Sequence, residues 1–328
     1  MEKMDKLNLA REKTDKLLQE IEEYLTDFYK KSEKEIRVKW DAYMIEQEKK
    51  IKDLQEEYDK TKETGNKDEI RKIGIRLSRE KKRLTIQNRY YKEMVEEVTE
   101  QITHANETAV AYINDEIPHI YAINSNGAKE HIREKIDIIK DKIDVGIRFD
   151  LMDEFTAKRL LSDNLLYAPL FKKVNKNKDK AWNLKLVHSQ VTQGILQGES
   201  ISKIADRIQN VTDANRKSAI RTARTMCTTA ENTGRMDSFK YAEKMGVVGK
   251  KVWLATLGDG RTRDWHLKLN LKEKDIDEPF HNEKGDIMCP GDPNASPANI
   301  YNCRCTTYED VIGFRAKDGS VIKIADFM

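Results

Sequence analysis

The side chains best suited to chemistry lie toward the C-terminal end of this 328-residue chain. His266, Cys289, Cys303 and Cys305 are of the kind that hold zinc, which favours thiolate sulfur and imidazole nitrogen in four-coordinate sites. Cys303-x-Cys305 is tighter than the spacing of most zinc knuckles and ribbons. In an extended strand, however, the side chains on either side of Arg304 face the same way, so both sulfurs can meet one ion or be buried together. Cys289 precedes Pro290, and a turn there could aim its sulfur back into the site as a fourth ligand. A metal-free thiol cluster is the alternative, and His281 is a reserve ligand candidate.

A second grouping overlaps the first: Asp259-x-Arg261-Thr262-Arg263-x-x-His266, followed by Asn302-Cys303-Arg304-Cys305. Asp259, Arg261, Arg263 and His266 would suit phosphate handling or metal-assisted hydrolysis, and His266 could serve Cys303 as a base. Neither a Gly-rich phosphate cradle nor the acidic cluster of a two-metal site accompanies them. The alternative is a polar network that pins a loop-rich module. In it Asp259 pairs with the arginines and His266 donates to a backbone carbonyl.

Several elements must position these residues. A strand is expected at 251–256, and turn residues dominate beyond it up to an edge strand at 321–324. Before it, Asp213 can cap a long helix that runs to about Met245, stops at Gly246 and carries Arg221-Thr222-Ala223-Arg224-Thr225. Cys227 should be buried on that helix. Ser200 can cap a short helix at 201–208, and an earlier helix runs from Trp182 to Gly198 with Leu184, Val187, Val191 and Ile195 on one face. Residues 172–180 form a basic loop, solvated or touching phosphate or an acidic partner. Pro118, Gly127 and Gly146 are expected to break the preceding stretch into shorter helices.

Residues 1–110 hold no proline and read as a long helical hairpin. One apolar series runs through Leu18, Ile21, Leu25, Phe28, Ile36, Trp40, Tyr43, Ile51, Leu54 and Tyr58. The other runs through Ile70, Ile73, Leu77, Leu84, Tyr91, Met94 and Val98, and Thr64-Gly65-Asn66 supplies the turn. The expected organisation is a hairpin at 1–110, a helical connector with a basic loop at 111–180, and a module at 181–328. The fold class is mainly α with a small α+β C-terminal module.

Charged residues make up 36% of the chain against about 25% in an average globular protein, which suits long solvated helices. Lys+Arg and Asp+Glu number 60 and 57, leaving +3, and that balance argues against a dedicated nucleic-acid binder. Local basic runs exist at Arg71, Lys72, Arg76, Arg79, Lys81, Lys82 and Arg83, and at Arg216, Lys217, Arg221 and Arg224. They could meet phosphates without reading sequence. The first run is expected to face acidic residues on the opposite arm of the hairpin instead. No stretch approaches the ~20 apolar residues that span a bilayer, and the N-terminus lacks a signal peptide's apolar core. A reducing cytoplasm follows, where clustered cysteines favour metal or free thiols over disulfides.

In order and spacing, the Arg-Thr-Ala-Arg-Thr helix, the strand with Trp253, the Asp259-to-His266 motif, Pro290-Gly291-Asp292 and Asn302-Cys303-Arg304-Cys305 resemble one known arrangement. It is the C-terminal domain of phage Mu F-like minor head proteins, also called the phage head morphogenesis domain, from about residue 182 to 311. Cys289 departs from that family, which has an aromatic or apolar residue there. The resemblance implies a non-enzymatic minor head protein of the virion, made in the host bacterial cytoplasm and held in the capsid interior. It implies the portal protein and capsid or scaffold proteins as partners, non-specific contact with packaged DNA, and an influence on DNA packaging or ejection. Some relatives carry an added C-terminal enzyme domain, such as a toxin. The segment after Cys305 is too short for one, which implies the plain structural form. A metal-dependent hydrolase and a DNA-binding internal virion protein are the competing expectations.

Overall fold

The computed structural model of the chain describes residues 6–83, 89–142, 149–197, 199, 201–258 and 260–327. Leu84, Gly146, Gly198, Ser200 and Asp259 lie outside the described residues, as do the side chains of Tyr43 and Tyr91. Helices dominate: α1 (Lys6–Thr64), α2 (Lys67–Arg83), α3 (Arg89–Ile136), α4 (Glu154–Asp163), α5 (Lys176–Leu196) and α6 (Ile201–Lys244). A small α+β module follows: β1 (Val247–Leu254), α7 (Asp264–Leu267), β2 (Glu273–Lys274), β3 (Phe280–Asn282), β4 (Gly285–Ile287), α8 (Pro297–Ile300), β5 (Thr306–Arg315) and β6 (Val321–Lys323). The fold is mainly α with a small C-terminal sheet, as the sequence predicts.

The chain forms two compact units, and α1, α3 and α6 contribute to both. One unit comprises Tyr24–Ala109 and Val174–Ala219. It contains the long N-terminal hairpin. The chain turns at Gly65, and Asn66 caps α2 by accepting the Glu69 N–H at 3.2 Å. Across the hairpin, Lys81 donates to Gln55 at 3.0 Å and Arg76 lies 3.9 Å from Glu57. Where it is described, the apolar stripe is buried at Leu25, Ile36, Trp40, Ile73, Leu77, Met94 and Val98 and half-buried at Ile51, Leu54, Tyr58 and Ile70. Ile36 and Trp40 of α1 pack with Met94, Val98 and Ile102 of α3, Val187 and Val191 of α5, and Ile204, Ile208 and Val211 of α6. Beside this core a chain of amides runs from Tyr29 through Asn106 and Asn215 to Asn183 and Thr103, each donating to the next or accepting from it.

Two expectations fail in this unit. The basic segment 172–180 is only half a loop, because Asn175 accepts the Lys178 N–H at 3.0 Å and starts α5 there. Lys176 and Lys180 then meet Glu107 and Glu100 of α3, so the acidic partner is internal. Nor are there two helices between 201 and 245. Asp213 does not cap a helix but sits within α6, where its carboxylate takes the Arg216 guanidinium at 2.9 Å. No proline or glycine stands between 208 and 213 to stop the helix.

The other unit comprises Met1–Glu23, Val110–Lys173 and Ile220–Met328. Here α3 runs unbroken through Pro118 and Gly127, against expectation. An interior proline costs about 3 kcal/mol. Burying each of Ile113, Ile117, Ile120 and Tyr121 around it returns roughly 1.5–3 kcal/mol, so packing wins. Gly127 is there for close approach: a Cβ on it would stand 2.6 Å from the Ala10 Cβ of α1. The sheet is antiparallel in the order β2-β1-β5-β6, which leaves β6 on the edge as expected. β1 is longer than predicted and pairs with β5 from Val247↔Phe314 to Leu254↔Thr306, with an irregularity between Val248 and Gly249. One core joins the inner sheet face to α3 and α6 through Ile132, Ile136, Phe239, Val247, Val311 and Phe314. A second joins Trp253, Leu269, Phe280, Ile287, Cys303 and Cys305.

Candidate metal centre

α6 positions the motif residues with a stripe of polar side chains at helical spacing. Thr225 accepts the Asn302 N–H at 2.9 Å, and Thr228 donates to the Cys303 carbonyl at 2.6 Å. Thr229 donates to the Gly291 carbonyl at 2.8 Å. Asn232 donates to the Cys305 carbonyl at 3.4 Å and accepts the Thr307 N–H at 2.9 Å. One turn further on, buried Arg235 donates to the carbonyls of Thr307 and Leu7 and to Asn124, and lies 3.1 Å from Glu231. An extended segment has unpaired backbone groups, and burial makes each of them costly unless paired. The stripe pairs them. Gly291 must be glycine at this contact, since φ is +76° and a Cβ would stand 2.9 Å from the Thr229 backbone.

The loop motif is built the same way. Thr262 donates to the Thr256 carbonyl at 2.5 Å, Thr256 donates to the Arg304 carbonyl at 2.6 Å, and Arg263 donates to the Tyr301 carbonyl. Asp292 accepts the N–H groups of Met288 and Asn294 at 3.0 and 2.9 Å, which closes the Pro-Gly-Asp turn. Asn302 takes a left-handed φ of +57°, and the chain then runs extended through Cys303 and Cys305 into β5 rather than lying within a strand.

His266, on α7, meets the two sulfurs. Its Nδ1 lies 3.5 Å from Cys303 Sγ and 3.7 Å from Cys305 Sγ. The three donor atoms all lie within 4.8 Å of one another, and the residues are 1%, 2% and 2% exposed, so the cluster is enclosed. Trp253 stands edge-on to the imidazole with centroids 5.2 Å apart, and Phe280 stands edge-on to Trp253 at 5.3 Å. The imidazole Nε2 does not reach a backbone carbonyl, as expected from sequence, but the Asn299 side-chain oxygen at 3.4 Å. That oxygen also accepts from the Asn282 amide at 3.2 Å. As an acceptor it places the imidazole proton on Nε2 and leaves the Nδ1 lone pair facing the sulfurs. The two thiols titrate as a pair. The hydrogen bond to Cys305 and burial hold the Cys303 thiol above the ordinary range, while the hydrogen bond from Cys303 favours the Cys305 thiolate.

The other candidates lie elsewhere. Cys289 is packed with Ile276 and Phe239 in the first core, and burial, then Asp292, push its thiol up to about 12. His281 is exposed on the β3–β4 hairpin, 2.5 Å from Asp286. Cys227 is buried in α6, and burial raises its pKa. Arg224 holds Glu22 through two bonds at 2.5 and 2.8 Å. The structure thus brings together three of the four predicted ligands. Sequence reasoning missed Asn299 and, although it singled out motif residues on this helix, the role of the stripe of Thr225, Thr228, Thr229, Asn232 and Arg235. The stripe had a signal, since gaps of three and four put five polar residues on one helix face. Asn299 had none.

Comparison with known proteins adds to this geometry. Residues 185–308 match the family described as phage Mu protein F like protein. The NAD(+)–arginine ADP-ribosyltransferase EFV of Enterococcus faecalis (strain ATCC 700802 / V583) is 34% identical over 177 residues, which is 50% of this chain and 34% of that protein. The minor head protein GP7 of Bacillus phage SPP1 is 35% identical over 116 residues, 35% of this chain and 37% of that protein. The chain thus spans about a third of the length of the curated relatives it matches. No solved structure matches it.

Proposed function

From the match of residues 185–308 to the phage Mu protein F like family, we propose that the chain is a minor head protein that acts in head morphogenesis. It joins the capsid interior through the portal protein or the inner shell, and there it influences packaging or exit of DNA. The observation that carries this reading is how the motif residues are used. Thr262, Arg263 and Asp292 direct their polar atoms to the protein's own backbone, as a rigid anchor requires. The long hairpin of α1 and α2, with a charged surface over an apolar seam, is the partner-binding element. Among the described residues no helix is long and apolar enough to cross a membrane.

The transferase activity in the name of one relative does not transfer with the match, because only about a third of that protein is covered. The first test is co-expression with the portal protein of the same phage or prophage, followed by pull-down and sedimentation. Stable co-sedimentation is expected. Well-folded protein that never co-sediments would sink the portal-bound reading and turn attention to hydrolase and transferase assays.

A further inference from the structure

We propose that His266 Nδ1, Cys303 Sγ and Cys305 Sγ are the three protein ligands of a buried site for a thiophilic divalent cation of the zinc class. Bond lengths of about 2.3 Å to sulfur and about 2.0 Å to nitrogen in a tetrahedral site set S···N edges of roughly 3.6 Å. The distances from the imidazole nitrogen to the two sulfurs are 3.5 and 3.7 Å, so both match such an edge. Hydrogen bonding explains them less well. A neutral Nδ1 has one lone pair and can accept one S–H, whereas two sulfurs stand at nearly equal distance from it. The Nε2–H···Asn299 contact supplies the outer partner that metal-bound imidazoles almost always have. Cys289 belongs to another core, and among the described residues no fourth protein ligand joins the three. An ion here ties the loop that carries α7 to the chain entering β5, beside the hydrogen bond from Arg263 to the Tyr301 carbonyl.

The test uses the full chain, purified under reducing conditions, with its metal measured and then removed by a chelator. Titration of the metal-free protein with Co²⁺ is expected to give a thiolate-to-metal charge-transfer band that saturates at one ion per chain. Zn²⁺ should displace the cobalt and raise the melting temperature of the wild type as its concentration rises. Cys289→Ser should bind like the wild type, and Cys305→Ser should lose the band. Asn299→Ala, a change to a positioning residue, should weaken Zn²⁺ binding roughly 10- to 100-fold beyond the modest loss of melting temperature that the metal-free protein shows, and Asn299→Asp should restore affinity. Wild-type protein that shows no thiolate band with Co²⁺ and no melting shift with Zn²⁺ overturns the proposal, even where the cysteine variant fails to fold. Equal loss in Cys289→Ser and Cys305→Ser overturns the three-ligand assignment. None of these readouts involves the portal protein, so the metal site and the assembly role stand or fall separately.

Discussion

Lys251 and Glu309 face each other across β1 and β5, both fully buried. The Lys251 ammonium donates to the Ile276 carbonyl at 2.8 Å, while neither Glu309 carboxylate oxygen has a hydrogen-bond partner. Burial first, then Glu243 and Asp310, raises the Glu309 pKa from 4.5 to about 8. Burial likewise lowers Lys251 from 10.5 to about 8. A raised carboxyl pKa means that the native state keeps a proton the unfolded chain releases. Its stabilising effect is full below pH 4.5 and is lost as pH climbs to about 8. A lowered ammonium pKa acts above that window. The unfolded lysine then holds the extra proton, and stability recovers between about 8 and 10.5. Urea unfolding across pH should therefore show a stability minimum near 8. Glu309→Gln should flatten the acidic limb, by a few kcal/mol, and Lys251→Met the alkaline limb. Parallel curves for wild type and Glu309→Gln would show that Glu309 is solvated or paired in solution.

At the scale of elements, the part of α6 from Ile220 onward organises the unit that holds the sheet. Its polar stripe carries the backbone of 302–307, and Arg235 is the side chain with most to lose, since three acceptors and Glu231 converge on it in a buried place. Arg235→Ala leaves Glu231 buried without its cation, at a cost of about 3–5 kcal/mol. Arg235→Lys should recover little, because a single ammonium cannot reproduce the planar fork. Urea unfolding of both variants checks this, and a loss below about 1 kcal/mol would place Arg235 among solvent-screened surface pairs. The motif Arg-Thr-Ala-Arg-Thr makes sense on the same helix. Arg224 holds Glu22, Ala223 is fully buried, and Thr225 reaches the Asn302 N–H.

For the whole molecule, charge decides between two readings of the basic runs. The net charge is only +3, and several cations already have carboxylates: Arg76 with Glu57, Arg216 with Asp213, Arg224 with Glu22, Lys176 with Glu107 and Lys180 with Glu100. Binding to duplex DNA should stay in the weak non-specific range, with Kd of about 1–100 µM near physiological salt, and fall further as salt rises. Fluorescence anisotropy on a random duplex measures it. Nanomolar binding with a steep salt slope would instead favour a DNA-binding internal virion protein.

Much of this protein was legible in order of residues alone. The apolar period marked the long N-terminal helices because a buried helix face must repeat every three or four residues, and Ile36 and Trp40 of α1 and Met94 and Val98 of α3 are buried accordingly. The Asp-x-Arg-Thr-Arg-x-x-His and Asn-Cys-Arg-Cys elements marked the resemblance to the phage Mu protein F like family that residues 185–308 match, since turns and short loops fix residue type locally. What sequence could not decide was whatever depends on burial or on a distant partner. Pro118 and Gly127 look like breaks, yet packing holds α3 through both. Cys289 looks like a fourth ligand, yet the chain folds it into a different core. Asn299, which sets the imidazole proton, carries no signal in the sequence until the tertiary structure brings it to His266, and β5 carries none until β1 gives its backbone a ladder.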